Sequence, residues 1–405
     1  MTRRNILIVS GAALSRNPRV LKEASALADA GHDVTVLTLR NHAAAEDFDR
    51  AIMATARFKR IVVDVAPAPG ASPTGVFMRR LRAAVARHVA GVFKRESIET
   101  IGPGGELLAI ARKQPADLVI GHTEVGLWVA AQLLAEGRKV AADIEDWHSE
   151  DLPPEDRVGR PVRLLRETER RLLKNGAYAT TTSAALAQAL QEDAGSPRPA
   201  VVGNTFPLQA DPRQPPPNDP AVFFWFSQTL GPGRGLEDFL TAWSRTSQPS
   251  RVVLLGEDRH GYRETLRASV PRSHGARLSF HDLVPPDMLP GLIARHDIGL
   301  ALETPLNRNR DLTITNKILQ YLNAGLAVVA TPTAGQREVL AHGPEAGVLL
   351  GSDPAANARL IDELLSDRAR LLARQQAARR LAETRYCWEH DRQVLLDLVN
   401  KALPS

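Results

Sequence analysis

Asp311-Leu-Thr-Ile-Thr-Asn-Lys-Ile-Leu-Gln-Tyr-Leu-Asn-Ala-Gly-Leu-Ala-Val-Val-Ala-Thr331 reads as loop, helix, turn and buried strand. Ile318, Leu319 and Leu322 recur at helical spacing, and Gly325 stands where a helix would stop. Leu326 to Ala330 is a short apolar run typical of a strand buried on both faces. Thr315 and Asn316 are good N-cap residues, so the first helical turn is expected to present unpaired N–H groups with Lys317 beside them. Such a terminus attracts anions. A phosphorylated ligand docked there would sit outside the carboxyl end of the preceding strand, Asp297 to Leu302, the usual ligand position in open α/β sheets. The bland reading is an ordinary crossover in which Lys317 is a solvated lysine.

Working outward, the same alternation recurs along the chain. Asn5 to Ser10 is an apolar strand, followed by Gly11 and a loop to Pro18, a helix from Arg19 to Ala30 closing at Gly31, and a strand at Val34 to Leu39. The loop lacks the G-x-G-x-x-G spacing of a dinucleotide site. Further buried strands are expected at Ala116 to Gly121, Lys139 to Asp143, Ala177 to Ser183, Ala221 to Ser227, Val252 to Gly256 and Gly347 to Leu350, and a long helix at Arg359 to Glu383. With 405 residues the chain suits two domains rather than one core. Prolines at 207, 212, 215, 216, 217 and 220 mark a stiff linker between them. The expected division is 1–206, a linker at 207–220, a second domain at 221–385, and a carboxyl-terminal helix at 386–405.

Composition excludes several classes. The apolar fraction of 43% is ordinary for a soluble globular protein, and no apolar run is long enough to span a bilayer. A single cysteine, Cys387, rules out an internal disulfide and fits the cytoplasm, and no Cys-x-x-Cys zinc spacing occurs. The net charge of +5 points to an anionic partner. No interleaving of basic and aromatic residues suggests nucleic-acid binding. From Val65 to Arg95 there is no acid, and Arg79, Arg80, Arg82, Arg87, Lys94 and Arg95 share a helical pattern with Phe77, Leu81, Val85 and Val92. This is either a solvated amphipathic surface helix or a docking site on an anionic membrane.

Asn316-Lys-x-x-x-Tyr-Leu-x-Ala-Gly-x-x-Val-Val-Ala-Thr331 resembles the donor-site signature of glycosyltransferases similar to family 4. Asn17-Pro-Arg-Val-Leu-Lys-Glu-Ala24, continued through Ala30-Gly-His-Asp-Val-Thr-Val-Leu37, is similar to their amino-terminal unit. The resemblance implies the GT-B fold, an α/β architecture of two doubly wound Rossmann-like domains facing a central cleft. It also implies that the final helix crosses back onto the first domain. The activity implied is transfer of a sugar from a nucleotide diphosphate sugar to a hydroxyl of a glycan or lipid-linked acceptor, with no cofactor and no bound metal.

Several residues take roles by that resemblance. Thr315, Asn316, Lys317 and Gln320 would hold the diphosphate and ribose, and the turn Gly231-Pro-Gly-Arg-Gly235 matches the donor loop, with Gly233, Arg234 and Gly235 against the diphosphate. Gly256 stands where the family keeps a glycine near the nucleotide, and Leu283 and Val284 would bracket the base. On the acceptor side, His122 follows the Asp-x-x-x-x-His pattern and would lie near the transferred sugar. Glu145, Asp146 and His148 resemble the acceptor loop and are candidates for general base or acceptor positioning. The chain departs from the pattern in two places: Gln320 and Leu312 stand where the family usually has glutamates. A sugar-nucleotide epimerase of the same fold and a non-catalytic nucleotide-sugar-binding subunit are the alternative readings.

Overall fold

A computed structural model describes residues 2–41, 45–67 and 70–404. The chain forms two compact units. One comprises the residues up to Val202 together with those from Arg392 onward, and the other is Gly203–Asp391.

The first unit is a parallel sheet of β1 (Asn5–Ser10), β2 (Asp33–Arg40), β3 (Lys59–Asp64), β4 (Leu118–His122), β5 (Val140–Ile144), β6 (Ala179–Thr181) and β7 (Ala200–Val201). They lie in the order β3-β2-β1-β4-β5-β6-β7. The second unit holds β8 (Ala221–Thr229), β9 (Ser250–Glu257), β10 (Leu278–His281), β11 (Ile298–Ala301), β12 (Ala327–Ala330) and β13 (Gly347–Leu349), in the order β10-β9-β8-β11-β12-β13. Helices on both faces bury these strands, which explains their unbroken apolar runs: every residue of β4, β5, β11 and β12 is buried. Each sheet winds outward in two directions from one strand. The winding reverses between β1 and β4 in the first unit, and between β8 and β11 in the second. Connections leave those paired strands on opposite faces, opening a crevice at their carboxyl ends.

The opening signature folds as expected. Its helix spans Asn316–Ala324 and stops at Gly325, and β12 follows. Tyr321 is fully buried and lies directly on β11, where a Cβ at Gly299 would come within 2.1 Å of its ring. Only glycine admits that contact, which sets the height of the signature helix over the sheet.

Three boundaries differ from expectation. The units divide at Val202 and Gly203, ahead of Phe206, because the segment after Val202 is tied to the returning chain. Thr205 Oγ1 donates to Asp391 Oδ2 at 2.6 Å, and the Trp388 N–H donates to the Phe206 carbonyl at 3.0 Å. The proline-rich run at 207–220 is docked on the second unit, with Arg213 paired to buried Asp297 at 2.5 Å and Asn218 Nδ2 donating to the same carboxylate at 2.8 Å. The long helix expected at Arg359 to Glu383 is two helices, Pro354–Ser366 and Arg368–Thr384. Asp367 separates them, and its side chain accepts from the N–H groups of Ala369 and Arg370 to cap the second. The last helix, Trp388–Ala402, sends Val399 into the first unit's core beside Ile6, Ile8 and Leu118.

Candidate functional site

In the second unit, the crevice between β8 and β11 is where the glycine-rich turn leaves one strand and Glu303 follows the other. Gly233 and Gly235 take φ values of 71° and 70°, a left-handed backbone that side-chain-bearing residues rarely adopt. They swing the loop onto the 302–306 segment, where Thr304 Oγ1 donates to the Gly233 carbonyl at 2.8 Å. Arg234, between the two glycines, is half-buried.

Glu303 was not among the residues singled out from sequence, yet it organises this corner. It is almost wholly buried, with Lys317 Nζ at 2.7 Å from one carboxylate oxygen and Arg310 Nη2 at 2.8 Å from the other. Burial alone would raise its pKa, but Lys317 and Arg310 outweigh it and hold the carboxyl below its ordinary value. Two cations share one anion, so the cluster has a surplus positive charge. Lys317 also lies 5.8 Å from the centroid of the Trp225 ring, which fixes its stem.

The signature helix contributes more than Lys317. Thr315 occupies the N-cap position with no side-chain cap bond, and Asn316 is exposed at the first turn. Thr315 Oγ1 and Gln320 Oε1 are buried and lack a hydrogen-bond partner among the described residues. Buried acceptors without donors are uncommon, and these two lie on the helix that carries Lys317. Leu312 ends the short helix Arg308–Leu312 that carries Arg310. Gly256 packs at the end of β9, where a Cβ would meet the Ser227 carbonyl at 3.1 Å. Leu283 is 45% exposed, and Val284 packs against the apolar cluster beneath the signature helix.

In the first unit His122 ends β4, level with Ser10 at the end of β1. The strand end does not leave it facing an open crevice. His122 is 1% exposed, its Nε2 hydrogen-bonded to Glu23 and its Nδ1 3.0 Å from Asp143 Oδ2. Asp143 also receives Arg19 Nη2 at 2.6 Å and the Thr180 hydroxyl at 2.5 Å. Burial would lower the imidazole pKa, but Glu23 and Asp143 raise it to about 10. Burial would likewise raise Asp143, and Arg19 and His122 instead push it well below the carboxylate range. His122 thus has both ring nitrogens engaged by carboxylates, which favour its charged form.

His148 also lies among acids. It is buried, with Nδ1 3.5 Å from Asp151 and 3.9 Å from Glu124. Burial lowers its pKa, while Asp151, Glu124 and other nearby acids raise it to about 9. Glu124, His148 and Asp151 have the spacing of a cation site. Arg160 already fills that place, donating to Glu124 at 3.1 Å, Asp151 at 2.9 Å and the His148 carbonyl at 3.2 Å. Next door, the Glu169 carboxylate accepts from the Ser149 N–H at 3.1 Å and its hydroxyl at 2.6 Å, and burial pushes its pKa up to about 7. Glu145 and Asp146 are half-buried on the same loop. Thr182 donates to the Glu145 carbonyl at 3.3 Å, which fixes the loop backbone.

The geometry invites comparison with known proteins. Residues 17–205 match a family model described as glycosyl transferase 4-like domain, and residues 221–367 match one described as glycosyl transferases group 1. No curated protein matches the chain. Among solved structures, Anabaena Alr3699/HepE in complex with UDP and glucose is 16% identical with a TM-score of 0.69, the match covering 98% of this chain and 100% of that one. Sucrose-phosphate synthase from Thermosynechococcus elongatus is 15% identical with a TM-score of 0.68, covering 98% and 99%. A glycosyltransferase from Rickettsia africae ESF-5 is 13% identical with a TM-score of 0.66 over the whole of both chains. At such identities the structural likeness establishes the fold, while the two family models together cover both units. The chain belongs to the group 1 glycosyltransferases and has their GT-B fold of two Rossmann-like domains.

Proposed function

We propose that this glycosyltransferase moves a sugar from a nucleoside diphosphate sugar to an acceptor hydroxyl in cell-envelope or exopolysaccharide assembly, without a resident metal. The observation that carries the donor reading is the cationic corner at the β8/β11 crevice. In the reaction the bond between the anomeric carbon and the phosphate oxygen breaks, and a bond to the acceptor oxygen forms. Charge develops on the departing diphosphate. Lys317 and Arg310, both anchored by Glu303, meet that charge together with Arg234 and the helix terminus at Thr315, the role a divalent cation would otherwise fill. The partnerless Gln320 Oε1 is suited to accept from a donor hydroxyl, as the family's carboxylate would. Glu145 and Asp146 serve the acceptor side.

The helix Pro73–Phe93 supports peripheral membrane attachment. It exposes Phe77, Met78, Val92 and Phe93, flanked by Arg80, Arg82, Arg87, Lys94 and Arg95. No helix among the described residues is long and apolar enough to cross a membrane.

A non-catalytic binding subunit is the second reading, favoured by Leu312 and Gln320 replacing the family's acids. The HepE structures hold UDP and UDP-glucose, so UDP-glucose is the first donor to try, then a panel of other nucleotide sugars with lipid extract as acceptor source. Diphosphate release by the parent, lost in Arg234→Ala and Lys317→Ala, supports the transferase. Nucleotide binding with no release from any donor, unchanged in Gln320→Glu combined with Leu312→Glu, supports the binding subunit.

A further inference from the structure

The second unit holds a cavity of about 260 Å³ on the side of its sheet away from the donor crevice. One wall is Pro212, Arg213 and Pro215 of the docked proline-rich run. The other is one face of the helix Arg368–Thr384, where Leu372, Gln375, Gln376, Arg379 and Arg380 recur at helical spacing. Gly325, at the end of the signature helix, closes the cavity two residues ahead of β12. Asp297, which anchors two of the lining side chains, directly precedes β11. The cavity therefore sits at the amino ends of strands whose carboxyl ends face the crevice beside Glu303.

Two buried polar atoms in this lining have no partner among the described residues. Gln375 is 4% exposed; its Nε2 donates to the Asp297 carbonyl at 3.1 Å, and its Oε1 receives no donor. Arg213 donates from Nη2 to Asp297 Oδ1 at 2.5 Å, while its equally buried Nε finds no acceptor. Asp297 holds both side chains, so a spare acceptor and a spare donor share one buried corner. Native interiors rarely leave such groups unpaired. A single hydroxyl satisfies both, donating to Gln375 and accepting from Arg213. The mouth is cationic. Arg379 is committed, its Nε to Glu383 at 2.7 Å and its Nη1 to the Asn323 carbonyl at 2.5 Å. Arg380 beside it is exposed and forms no ion pair among the described residues, and no acid lines the cavity.

We propose that this cavity binds a small organic anion with a hydroxyl at one end, an apolar body, and a carboxylate at the other end. The hydroxyl lies between Gln375 and Arg213, the body against Leu372 and the two prolines, and the carboxylate at Arg380. A cavity of about 150 Å³ holds benzene, so the larger volume here admits one ring with two substituents. The site is separate from the donor crevice and does not depend on sugar transfer.

The test uses the full chain and para-hydroxyphenylacetate, compared with phenylacetate, which lacks the hydroxyl, and para-cresol, which lacks the charge. Binding is read by calorimetry. Loss of the hydroxyl is expected to weaken binding by roughly fivefold or more, because it leaves two buried groups unpaired. Loss of the carboxylate should weaken it by roughly twofold or more, since its partner is exposed. Arg380→Glu should lower the affinity for para-hydroxyphenylacetate and spare that for para-cresol, whereas Arg272→Glu, an exposed change outside the cavity, should alter neither. Gln375→Met should bring para-hydroxyphenylacetate close to phenylacetate. If that variant does not fold, the three ligands on the parent and on Arg380→Glu decide alone. No binding at about 10 mM, equal affinity of the parent for the hydroxylated and unhydroxylated acids, or unchanged binding in Arg380→Glu overturns the proposal. Displacement of para-hydroxyphenylacetate by UDP also overturns it, because that result puts the acid in the donor crevice.

Discussion

Replacing Glu303 with glutamine removes one negative charge while keeping the side chain's shape, and it isolates what that carboxylate does. Its side chain is 2% exposed, that of Lys317 13% and that of Arg310 30%. Breaking a buried ion pair by removing one partner costs about 3–5 kcal/mol. The glutamine retains one acceptor oxygen and Arg310 is partly screened by solvent, so the loss here is expected at about 2–3 kcal/mol. For a domain of this size each kcal/mol moves the melting temperature by about 2–4 °C, giving a fall of roughly 4–12 °C in scanning calorimetry. Added UDP should then narrow the gap between variant and parent, because phosphate oxygens restore the missing anion beside the two cations. A variant that melts with the parent would show that the carboxylate does not hold Lys317 and Arg310. If UDP stabilises both proteins equally, the cations do not reach the phosphates.

Four other outcomes follow from the geometry. His122 has a folded pKa of about 10 against an ordinary value near 6.5, so its contribution is complete below pH 6.5 and is lost as pH rises through 10; denaturation of parent and His122→Asn should differ most near pH 6 and converge near pH 10.5. Glu169 is an acid raised to about 7, so its contribution is present below about pH 4.5 and is lost as pH rises through 7; Glu169→Gln should gain stability relative to the parent between pH 5 and pH 8, and a constant difference would refute the shift. Gly299→Ala forces the Tyr321 ring off β11 and should cost about 1–3 kcal/mol in urea unfolding; a neutral result would mean that the signature helix sits higher than described. Attachment of the Pro73–Phe93 helix to anionic vesicles should weaken sharply between 0.05 and 0.5 M salt, since screening acts within about 8 Å at physiological ionic strength, and salt-independent binding would leave only the apolar contribution.

What the sequence disclosed follows the range over which each interaction acts. β1 was legible to the residue because Ile6 to Val9 is a local apolar run, and the signature helix because Thr315 and Gly325 punctuate it. β3 escaped because Lys59 and Asp64 bracket only four residues and the strand lies at the sheet edge, where burial is incomplete. The break at Asp367 escaped because the flanking sequence is helical on both sides and one aspartate does the capping. Site chemistry is harder still. Lys317 could be singled out from its place on a helix terminus, but its partner Glu303 precedes it across a loop and a short helix. Glu23 lies far from His122 in the chain. It meets the imidazole only because β1 and β4 are neighbours in the sheet.

Both clusters occupy equivalent places in their sheets. His122 ends β4 and Glu303 follows β11, the strands on the same side of the winding reversal in their respective sheets. In each case a buried charge at the strand end is matched by opposite charges from a helix: Glu23 for His122, Lys317 for Glu303. The balance is opposite in sign. His122 and Arg19 are two cations held by the carboxylates of Glu23 and Asp143, with Glu145 also acting on Arg19, whereas Glu303 is one carboxylate paired with two cations, neither of which has a second ion pair among the described residues. A balanced buried network fixes backbone position, and an unbalanced one attracts a ligand of the missing sign. Under the proposed function, the same topological position is a structural clamp in the first unit and an anion receptor in the second. Charge reversal should expose that difference: Glu303→Lys should abolish folding of its corner, whereas Glu303→Gln should be partly rescued by a diphosphate. No anion should rescue His122→Asn.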